Sequence, residues 1–255
     1  MNEISNNIFI KPNEFLLNKI NKSSYLVKEI LLKAIKGIEV SESEGTTLFK
    51  AKNIKDKNAI YETANFLCRS ANGSKVTFVV NRNINFTNVC HMGCKFCNFA
   101  KRMDDNNAEW LGLEEIVFRA KEAWDRGATE VCIQGGLHPK MEGTYYFDIV
   151  KSIKSKLPDM HIHAFSPFEI WYGSSKTRMT YKDFLIELNH MGLGSIPGTA
   201  AEILDVNIRK KLTKNKLSAE KWIEIIKTAH NVGLPSSATI MYGHIDNAEN
   251  WSAHI

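Results

Sequence analysis

Apolar positions in the first 75 residues recur at helical spacing. Positions three or four residues apart lie on one side of a helix, so the stripe in one segment predicts an amphipathic helix. That stripe consists of Leu26, Ile30, Leu31 and Ala34. Ser41, followed by Glu44 three residues later, has the spacing of a capping box and predicts a second helix start. With a further helix predicted from about 58 to 70, we expect residues 1–75 to form an N-terminal helical segment.

From residue 76 onward, short apolar segments alternate with amphipathic ones. The first strand is predicted within 76–86, just before a group of cysteines. The stretch 113–127 has one apolar helical face, and 129–136 is a short strand that runs into a glycine turn. The same order continues in the segments predicted as helix 145–157, strand 161–166, helix 180–192, strand 193–198, helix 218–233 and strand 236–243. This alternation indicates βαβ units and a parallel sheet.

The predicted fold class is therefore α/β, with a partial (β/α) barrel of the TIM type over residues 76–255. Such barrels bind ligands at the C-terminal ends of their strands. The segments expected to converge there are CHMGCKFC, QGGLHP, HAFSPFE, SIPGTAAE and TIMYGH. A complete eight-stranded barrel uses about 30 residues per unit, and this chain ends at WSAHI without a predicted closing helix. We therefore expect the C-terminal part of the barrel to be missing.

Composition and charge narrow the classes of function. The chain has 255 residues, of which 44% are hydrophobic, and this suffices for a packed core. The formal net charge is only +5, and no long basic run with interleaved aromatic residues occurs, so we expect no nucleic-acid partner. No apolar run approaches the roughly 20 residues of a membrane span, and the polar start lacks a leader pattern. We expect a cytoplasmic protein without a membrane partner.

Three of the five cysteines, Cys90, Cys94 and Cys97, have the spacing C-x3-C-x2-C. An odd number of cysteines does not suit a secreted disulfide framework, so clustered thiols favour a metal. A closed four-iron cluster has a cysteine on each iron, and three would leave one iron open to chelate the amine and carboxylate of S-adenosylmethionine (SAM). Together with the aromatic Phe96 before the last cysteine, the spacing is typical of radical SAM enzymes and predicts a [4Fe–4S] cluster with SAM.

Other interpretations of the cysteines stay open. A tetrahedral zinc site would need a fourth ligand, for which His91 is available, although adjacent residues rarely point at one metal. A redox disulfide would use Cys94 and Cys97 alone, because only this pair has the C-x2-C spacing. The three thiols could also be structural. Outside the group, Cys68 on a helical pattern and Cys132 within a strand are predicted to be small core residues.

Further candidate chemistry lies at the predicted strand ends. The turn at 134–136 could be an ordinary βα turn, but beside a cluster its backbone could hold the methionine amine of SAM. Glu169 and Glu202 could bind a ribose hydroxyl or a substrate amine, or could cap a helix. Three histidines also follow predicted strands, and each could be structural or could contact substrate. They are His138, His163 and His244.

Several segments together resemble the tyrosine-using FO synthase subunits of the radical SAM superfamily, the CofH family. They are NRNINFTNVCHMGCKFCNF, IQGGLHP, HAFSPFEI, PGTAAEIL and ATIMYGH. The resemblance covers nearly the whole chain from about residue 25. It implies a transferase on the route to coenzyme F-420, which breaks the Cα–Cβ bond of L-tyrosine and couples the 4-hydroxybenzyl group to 5-amino-6-(D-ribitylamino)uracil. It also implies an electron donor and, as a further partner, the other FO synthase subunit.

The same resemblance implies roles for individual residues. The cluster ligands would be Cys90, Cys94 and Cys97. SAM would be flanked by Phe96, Gln134, Gly135, Gly136, Ser166 and Glu202. Catalysis or substrate contact would fall to His138, His163, Glu169 and His244, which are assigned from their positions at the barrel rim.

Two alternative functions remain from the sequence. Menaquinone-pathway enzymes of the futalosine route are similar, but they tend to carry PGGGAEI where this chain has PGTAAEIL at 197–204. An inactive metal-binding fragment is the other alternative, because members of the resembled family run on beyond the position that matches Ile255.

Overall fold

The computed structural model describes residues 11–255. The chain divides into two compact units, one made of the described residues up to Thr77 together with Gly243–Ile255, and the other of Phe78–Tyr242. The division into 1–75 and 76–255 expected from the sequence stays a prediction. Among residues 11–255, no helix is both long enough and apolar enough to cross a lipid bilayer.

The second unit contains both helices and strands, and the described part of the first unit contains helices alone. The helices are α1 Glu14–Asn21, α2 Tyr25–Ala34, α3 Glu42–Phe49, α4 Ile54–Asn72, α5 Leu113–Asp125, α6 Tyr145–Lys156, α7 Pro167–Thr177, α8 Tyr181–His190, α9 Val206–Leu212, α10 Ala219–Asn231 and α11 Ala248–His254. The strands are β1 Asn81–Asn85, β2 Glu130–Gln134 and β3 His161–Ala164. The predicted N-terminal helical segment is confirmed within the described residues.

The helices of the first unit begin at polar caps and pack through one apolar stripe each. The predicted capping box is confirmed, because Ser41 Oγ accepts from the Glu44 backbone N–H while the Glu44 carboxylate accepts from the Ser41 N–H. Leu26, which the pattern placed on the apolar stripe of α2, is instead 64% exposed. The core of this unit is formed by Leu16, Ile20, Val27, Leu31 and Ala59.

Asp56 links two helices of the first unit. It is buried in the first turn of α4, and its carboxylate accepts hydrogen bonds from the Ser24 backbone N–H at 2.6 Å and the Ser24 hydroxyl at 2.9 Å, just ahead of α2. Burial raises the pKa of Asp56, but the bonds from Ser24 and Asn53 outweigh this effect and hold the pKa below its ordinary value. The carboxylate therefore stabilises the packing of α2 on α4 most when it is charged.

Replacing Asp56 by Asn is expected to lower the free energy of unfolding by about 1–3 kcal/mol at neutral pH, because a charged acceptor is lost. A carboxyl whose native pKa is lowered stabilises the fold above its unfolded pKa of about 4, and this contribution is lost as the pH falls through the native pKa. Urea unfolding of wild type and variant across the acid range measures the difference. A difference that stays constant into strong acid would contradict the role of the charge.

The second unit contains a parallel sheet in the order β1–β2–β3. In its register, Asn83 lies opposite Cys132, which lies opposite His163. Alternate strand residues are buried in one core with the apolar faces of the surrounding helices. They are Ile84, Val131, Ile133, Ile162 and Ala164. The predicted α/β class with a partial parallel barrel is confirmed.

Two of the five predicted strands are reduced to single parallel bridges. Ser195 bridges to His163, and Ser236 bridges to Ile196, so the order of the sheet continues without a regular ladder. The first strand is also shorter than predicted, since β1 starts at Asn81, opposite the first residue of β2. Residues 76–79 lie beyond that partner strand and form no strand of their own. An extended apolar segment becomes a strand only where a neighbouring strand pairs with it. The start of β1 at Asn81 is therefore set by the start of β2.

Helices α7 and α9 were absent from the sequence prediction. The start of α7 nevertheless has strong signals, because Ser166 is the N-cap, Pro167 occupies the first turn and Glu169 completes a capping box. For α9, Asp205 caps the helix by accepting from the Ile208 N–H. Helix α7 carries Phe168 and Glu169 to the cavity described next, and α9 precedes the segment from which Lys216 reaches it.

Candidate functional site

A cavity of about 250 Å³ opens where the strands of the second unit end. Asn85 is the last residue of β1, Gln134 the last of β2, and Ser166 follows β3 by two positions. All three contribute to the wall, together with the three clustered cysteines. The remaining predicted site residues on the wall are Phe96, Gly135, Gly136, Glu169 and Glu202. The strand-end loops thus converge in the manner expected of a (β/α) barrel.

A larger cavity lies in the first unit and has a volume of about 830 Å³. Its wall is mostly apolar and contains no cysteine or histidine among the described residues. The smaller cavity, which we call the cysteine cavity, is therefore the candidate site on chemical grounds.

Two backbone hydrogen bonds anchor the cysteine loop. The Cys90 N–H donates to the carbonyl of Lys101 at 3.1 Å, and the Lys95 N–H donates to the carbonyl of Leu212 at the end of α9, also at 3.1 Å. Cys90 and Cys94 are half-buried and Cys97 is exposed. Burial raises the pKa of the Cys94 thiol, and the nearby Lys216 acts in the opposite direction.

The glycine turn after β2 packs directly against the base of this loop. A Cβ on Gly136 would lie 2.3 Å from the Val89 carbonyl oxygen and 2.9 Å from Cys90 Cβ. A Cβ on Gly135 would lie 2.6 Å from the ring of Phe86. Only glycine fits at either position without a shift of backbone or of a buried ring. The pair therefore holds the turn in close contact with the cysteine loop.

Glu169 holds the glycine turn from the other side. Its Oε1 accepts from the Gly135 N–H at 2.9 Å, and its Oε2 accepts from the Ser166 N–H at 2.8 Å and from the Ser166 hydroxyl at 2.6 Å. Burial raises the pKa of the Glu169 carboxyl to about 7, against the opposing effect of the bonds from Ser166 and Gly135. The side chain thus caps α7 and also fixes the turn after β2.

Glu202 and Lys216 form a shielded ion pair in the wall of the cysteine cavity. Lys216 also lies over the ring of Phe96, with Nζ 5.2 Å from the ring centre. Glu202 Oε2 is buried and has no hydrogen-bond partner among the described residues. A buried carboxylate oxygen is costly to leave unpaired. It therefore suits a ligand that brings a hydrogen-bond donor into the cavity.

Sequence reasoning missed Lys216 because it lies in the run TKNK, which has the composition of a solvated surface segment. Nothing in the local pattern distinguishes the one lysine that turns inward. The cause is tertiary: buried Arg209 on α9 donates to the carbonyl oxygens of Ala200 and Leu217, at 2.9 and 2.6 Å. This arrangement folds the segment back and brings Lys216 to Glu202.

The three predicted histidines lie in three different settings, and none lines the cysteine cavity. His138 is buried, and the centre of its ring lies 4.4 Å from the ring centre of Trp110. His163 is half-buried on β3 and shares a hydrogen bond of 2.6 Å with Ser195 Oγ. His244 belongs to the first unit, where its backbone N–H donates to Asp246.

The two remaining cysteines differ from the sequence prediction. Cys68 is exposed on α4 rather than part of a core. Cys132 is half-buried on β2, and it points away from the apolar core because its neighbours Val131 and Ile133 are the buried ones. A cysteine on a mixed helix or strand can face either way, and the burial of its neighbours decided both cases.

The residues of the cavity fit an iron–sulfur cluster with SAM. No three His, Cys, Asp or Glu side chains among residues 11–255 converge on a single ion. An iron–sulfur cluster needs a different arrangement, because each cysteine binds a different iron and the sulfurs need not meet at one point. The cavity offers three thiols for such a cluster. For SAM it offers a turn without side chains and an unpaired buried carboxylate oxygen.

Comparison with known proteins agrees with this chemistry. Residues 84–255 match the model of the radical SAM superfamily. The chain is 51% identical over 197 residues to FO synthase of Streptomyces avermitilis, which covers 77% of this chain and 23% of that protein. It is 46% identical over 223 residues to the 5-amino-6-(D-ribitylamino)uracil–L-tyrosine 4-hydroxyphenyl transferase of Methanocaldococcus jannaschii, covering 85% of this chain and 61% of that protein.

Solved structures show the same fold at low sequence identity. Methylornithine synthase (PylB) superposes with a TM-score of 0.68 at 19% identity, over 88% of this chain and 62% of that one. The [FeFe]-hydrogenase maturase HydG superposes with a TM-score of 0.67 at 16% identity, over 96% of this chain and 53% of that one. On the match of its cysteine-bearing region to the family model, the chain belongs to the radical SAM superfamily.

Proposed function

We propose that the chain carries the activity of a radical SAM transferase that couples the 4-hydroxybenzyl group of L-tyrosine to 5-amino-6-(D-ribitylamino)uracil, in FO and coenzyme F-420 biosynthesis. The observation that carries the proposal is the meeting of the three cysteines, the glycine turn and Glu169 around one cavity. The substrates are those in the name of the M. jannaschii relative, and the chain spans about three fifths of that protein.

In this proposal Cys90, Cys94 and Cys97 bind a [4Fe–4S] cluster. When bound, the cluster and SAM supply a 5′-deoxyadenosyl radical. An electron donor and the other FO synthase subunit are the proposed protein partners.

The glycine turn is suited to bind the amine of SAM. The Gly135 N–H donates to Glu169, and the Gly136 N–H donates to the carbonyl of Thr87 at 2.8 Å. Since both amide hydrogens are engaged, the turn offers a ligand its carbonyl oxygens, which accept hydrogen bonds from an ammonium group. Phe96, Gln134, Ser166 and Glu202 complete the proposed SAM environment.

The deciding experiment is an anaerobic assay of the protein reconstituted with iron and sulfide. After reduction, SAM, tyrosine and the ribitylaminouracil are added, and 5′-deoxyadenosine and the coupled product are followed by mass spectrometry. We expect both products only when both substrates are present. Formation of 5′-deoxyadenosine with a futalosine-route substrate instead would favour the menaquinone-pathway alternative, and a protein that holds zinc and no iron would favour the metal-binding fragment.

Replacing Cys132 by Ala is expected to leave the iron content unchanged, because this thiol lies on β2, outside the residues that line the cysteine cavity. Iron and sulfide are measured per chain after identical reconstitution. Loss of iron would show that Cys132 takes part in the cluster site, and the three-cysteine assignment would then be wrong.

A further inference from the structure

The face of the sheet opposite the apolar core is polar along its whole length. The side chains of alternate residues lie on this face, and most of their neighbours, from Ile84 on β1 to Ala164 on β3, are buried on the other. They are Asn81, Asn83 and Asn85 on β1, Glu130, Cys132 and Gln134 on β2, and His161 and His163 on β3. Interiors of (β/α) barrels are usually filled by bulky branched residues. The polar residues on this face replace the apolar side chains that usually fill a barrel, and this suggests that they bind a polar molecule.

Two rows of this face have different surroundings. Asn85 and Gln134 pair across the strands and line the cysteine cavity. The next row consists of Asn83, Cys132 and His163 and is extended by Ser195. Residues two apart along a strand are about 7 Å apart. The second row, which we call the polar row, therefore lies one step deeper than the cysteine cavity, within the length of a small molecule.

A chain of hydrogen bonds orients the ring of His163. Ser195 Oγ lies 2.6 Å from His163 Nδ1 and 2.8 Å from His161 Nε2. A hydroxyl has one hydrogen, so Ser195 can donate to one ring and must accept from the other. Glu130 Oε2 lies 3.7 Å from His161 Nε2 and favours a hydrogen on that nitrogen. His161 then donates to Ser195, and Ser195 donates to His163 Nδ1.

This polarity leaves the hydrogen of neutral His163 on Nε2, for which the described residues offer no partner. Burial lowers the pKa of His163, and Glu130 and His161 act on it in opposite directions. The ring is consequently a neutral donor at physiological pH. Within the same row, the side-chain oxygen of Asn83 remains available as an acceptor, because it is the side-chain nitrogen that donates to Asn85 Oδ1.

We propose that the polar row binds the ring of the acceptor substrate, a neutral ureide with a hydroxylated side chain, with His163 Nε2–H donating to a ring oxygen and Asn83 accepting from a ring N–H. The proposal rests on the proposed function, whose second substrate has this chemistry. Ser195, His161 and Glu130 act as positioning residues that set the tautomer of His163.

The chemistry of the row favours this substrate over tyrosine. Carboxamide side chains match the donor and acceptor edges of heterocyclic rings, as they do when proteins read bases. Tyrosine, in contrast, is a zwitterion, and a buried charge needs an opposite charge or several hydrogen bonds. Two acidic groups act on the row, and both are already engaged: Glu130 accepts from the Asn81 amide at 3.2 Å, and Glu169 accepts from the backbone N–H groups of Gly135 and Ser166. Asn83, Cys132, His163 and Ser195 carry no charge in the row.

Ligand binding to the anaerobic holoenzyme with SAM tests the proposal. Equilibrium dialysis gives the Kd of the ribitylaminouracil and of tyrosine for wild type, His163→Phe, and the matched control His230→Phe. His230, an exposed residue of α10, forms a similar pair with Ser236 at 2.9 Å. We expect His163→Phe to raise the Kd of the ribitylaminouracil about tenfold, the size of one lost hydrogen bond with an unpaired partner. The Kd of tyrosine and both Kd values of the control should stay within about twofold.

The tautomer is measured separately on ¹⁵N-histidine-labelled holoenzyme by long-range ¹H–¹⁵N correlation, which needs no substrate. We expect His163 to be protonated at Nε2 in wild type, to become a mixture in Ser195→Ala, and to return to Nε2 in Ser195→Thr, which keeps the hydroxyl. Ser195→Ala should also raise the Kd of the ribitylaminouracil and leave the Kd of tyrosine unchanged. This second variant keeps the test valid if His163→Phe misfolds.

The outcomes separate this proposal from the proposed function. The polar row is not the site of the ribitylaminouracil if the Kd of this substrate is unchanged in the folded variants. The same holds if the Kd of tyrosine rises by the same factor, even when wild type makes the coupled product. Protonation of His163 at Nδ1 in wild type overturns the positioning chain. A wild-type holoenzyme that does not bind the ribitylaminouracil at all overturns both the polar-row site and the proposed function.

Discussion

Replacing Cys90, Cys94 or Cys97 by Ala, one at a time, is expected to reduce 5′-deoxyadenosine formation to background. In the proposed site each thiolate is the ligand of one iron, so two remaining cysteines would not hold a cluster with an open iron for SAM. The three side chains line the same cavity, so no other cysteine among the described residues is placed to replace the lost one. The measurement is 5′-deoxyadenosine by mass spectrometry after reduction with dithionite, together with iron and sulfide per chain.

The matched control for these variants is Cys68→Ala, because Cys68 is an exposed thiol in the first unit. It should retain wild-type iron and wild-type 5′-deoxyadenosine formation. Turnover that survives the loss of any one of the three clustered cysteines would overturn the cluster assignment. Equal losses in Cys68→Ala would point to general damage to the protein during reconstitution.

Replacing Glu169 by Gln is expected to weaken SAM binding by about 10- to 100-fold, as the loss of a hydrogen bond that leaves a buried donor unpaired would predict. The amide keeps the shape of the side chain, but its NH2 group must face either the Gly135 N–H or the Ser166 N–H, where only an acceptor fits. The glycine turn then loses its anchor. The Kd of SAM on the reconstituted, unreduced protein measures the effect.

Glu44→Gln is the control for that substitution, since Glu44 completes the same type of capping box with Ser41 on α3 in the first unit. It should leave the Kd of SAM unchanged. If both variants bind SAM as wild type does, the glycine turn does not depend on Glu169 for its geometry.

The stability of the second unit should also depend on the protonation of Glu169. Its native pKa of about 7 lies above that of the unfolded chain, so the native state binds the proton more tightly. The free energy of unfolding is therefore expected to fall as the pH rises from about 4.5 to about 7, and to be level above that range. Urea unfolding at several pH values should show this slope in wild type and its absence in Glu169→Gln.

Local features of the fold were open to prediction because their causes lie within a few residues. The Ser41–Glu44 capping box and the amphipathic stripe of α5 need no distant partner, and the structure has both. The order of strands and helices followed in the same way from period and length. Where a strand needs a partner to define it, prediction failed: the segments at Ser195 and Ser236 form single bridges, and 76–79 remains unpaired.

The sequence by itself determined the class of chemistry, since the spacing of Cys90, Cys94 and Cys97 is a short-range property of one loop. The α/β order and the glycine turn that follows β2 are equally local. Only the tertiary structure decided which other groups share the site. Glu202 and Lys216 meet because Arg209 folds their segment back, and Asn83, Cys132 and His163 form a row because of the register of three parallel strands. Such contacts join residues far apart in the chain, and their geometry is fixed by packing, which no local pattern encodes.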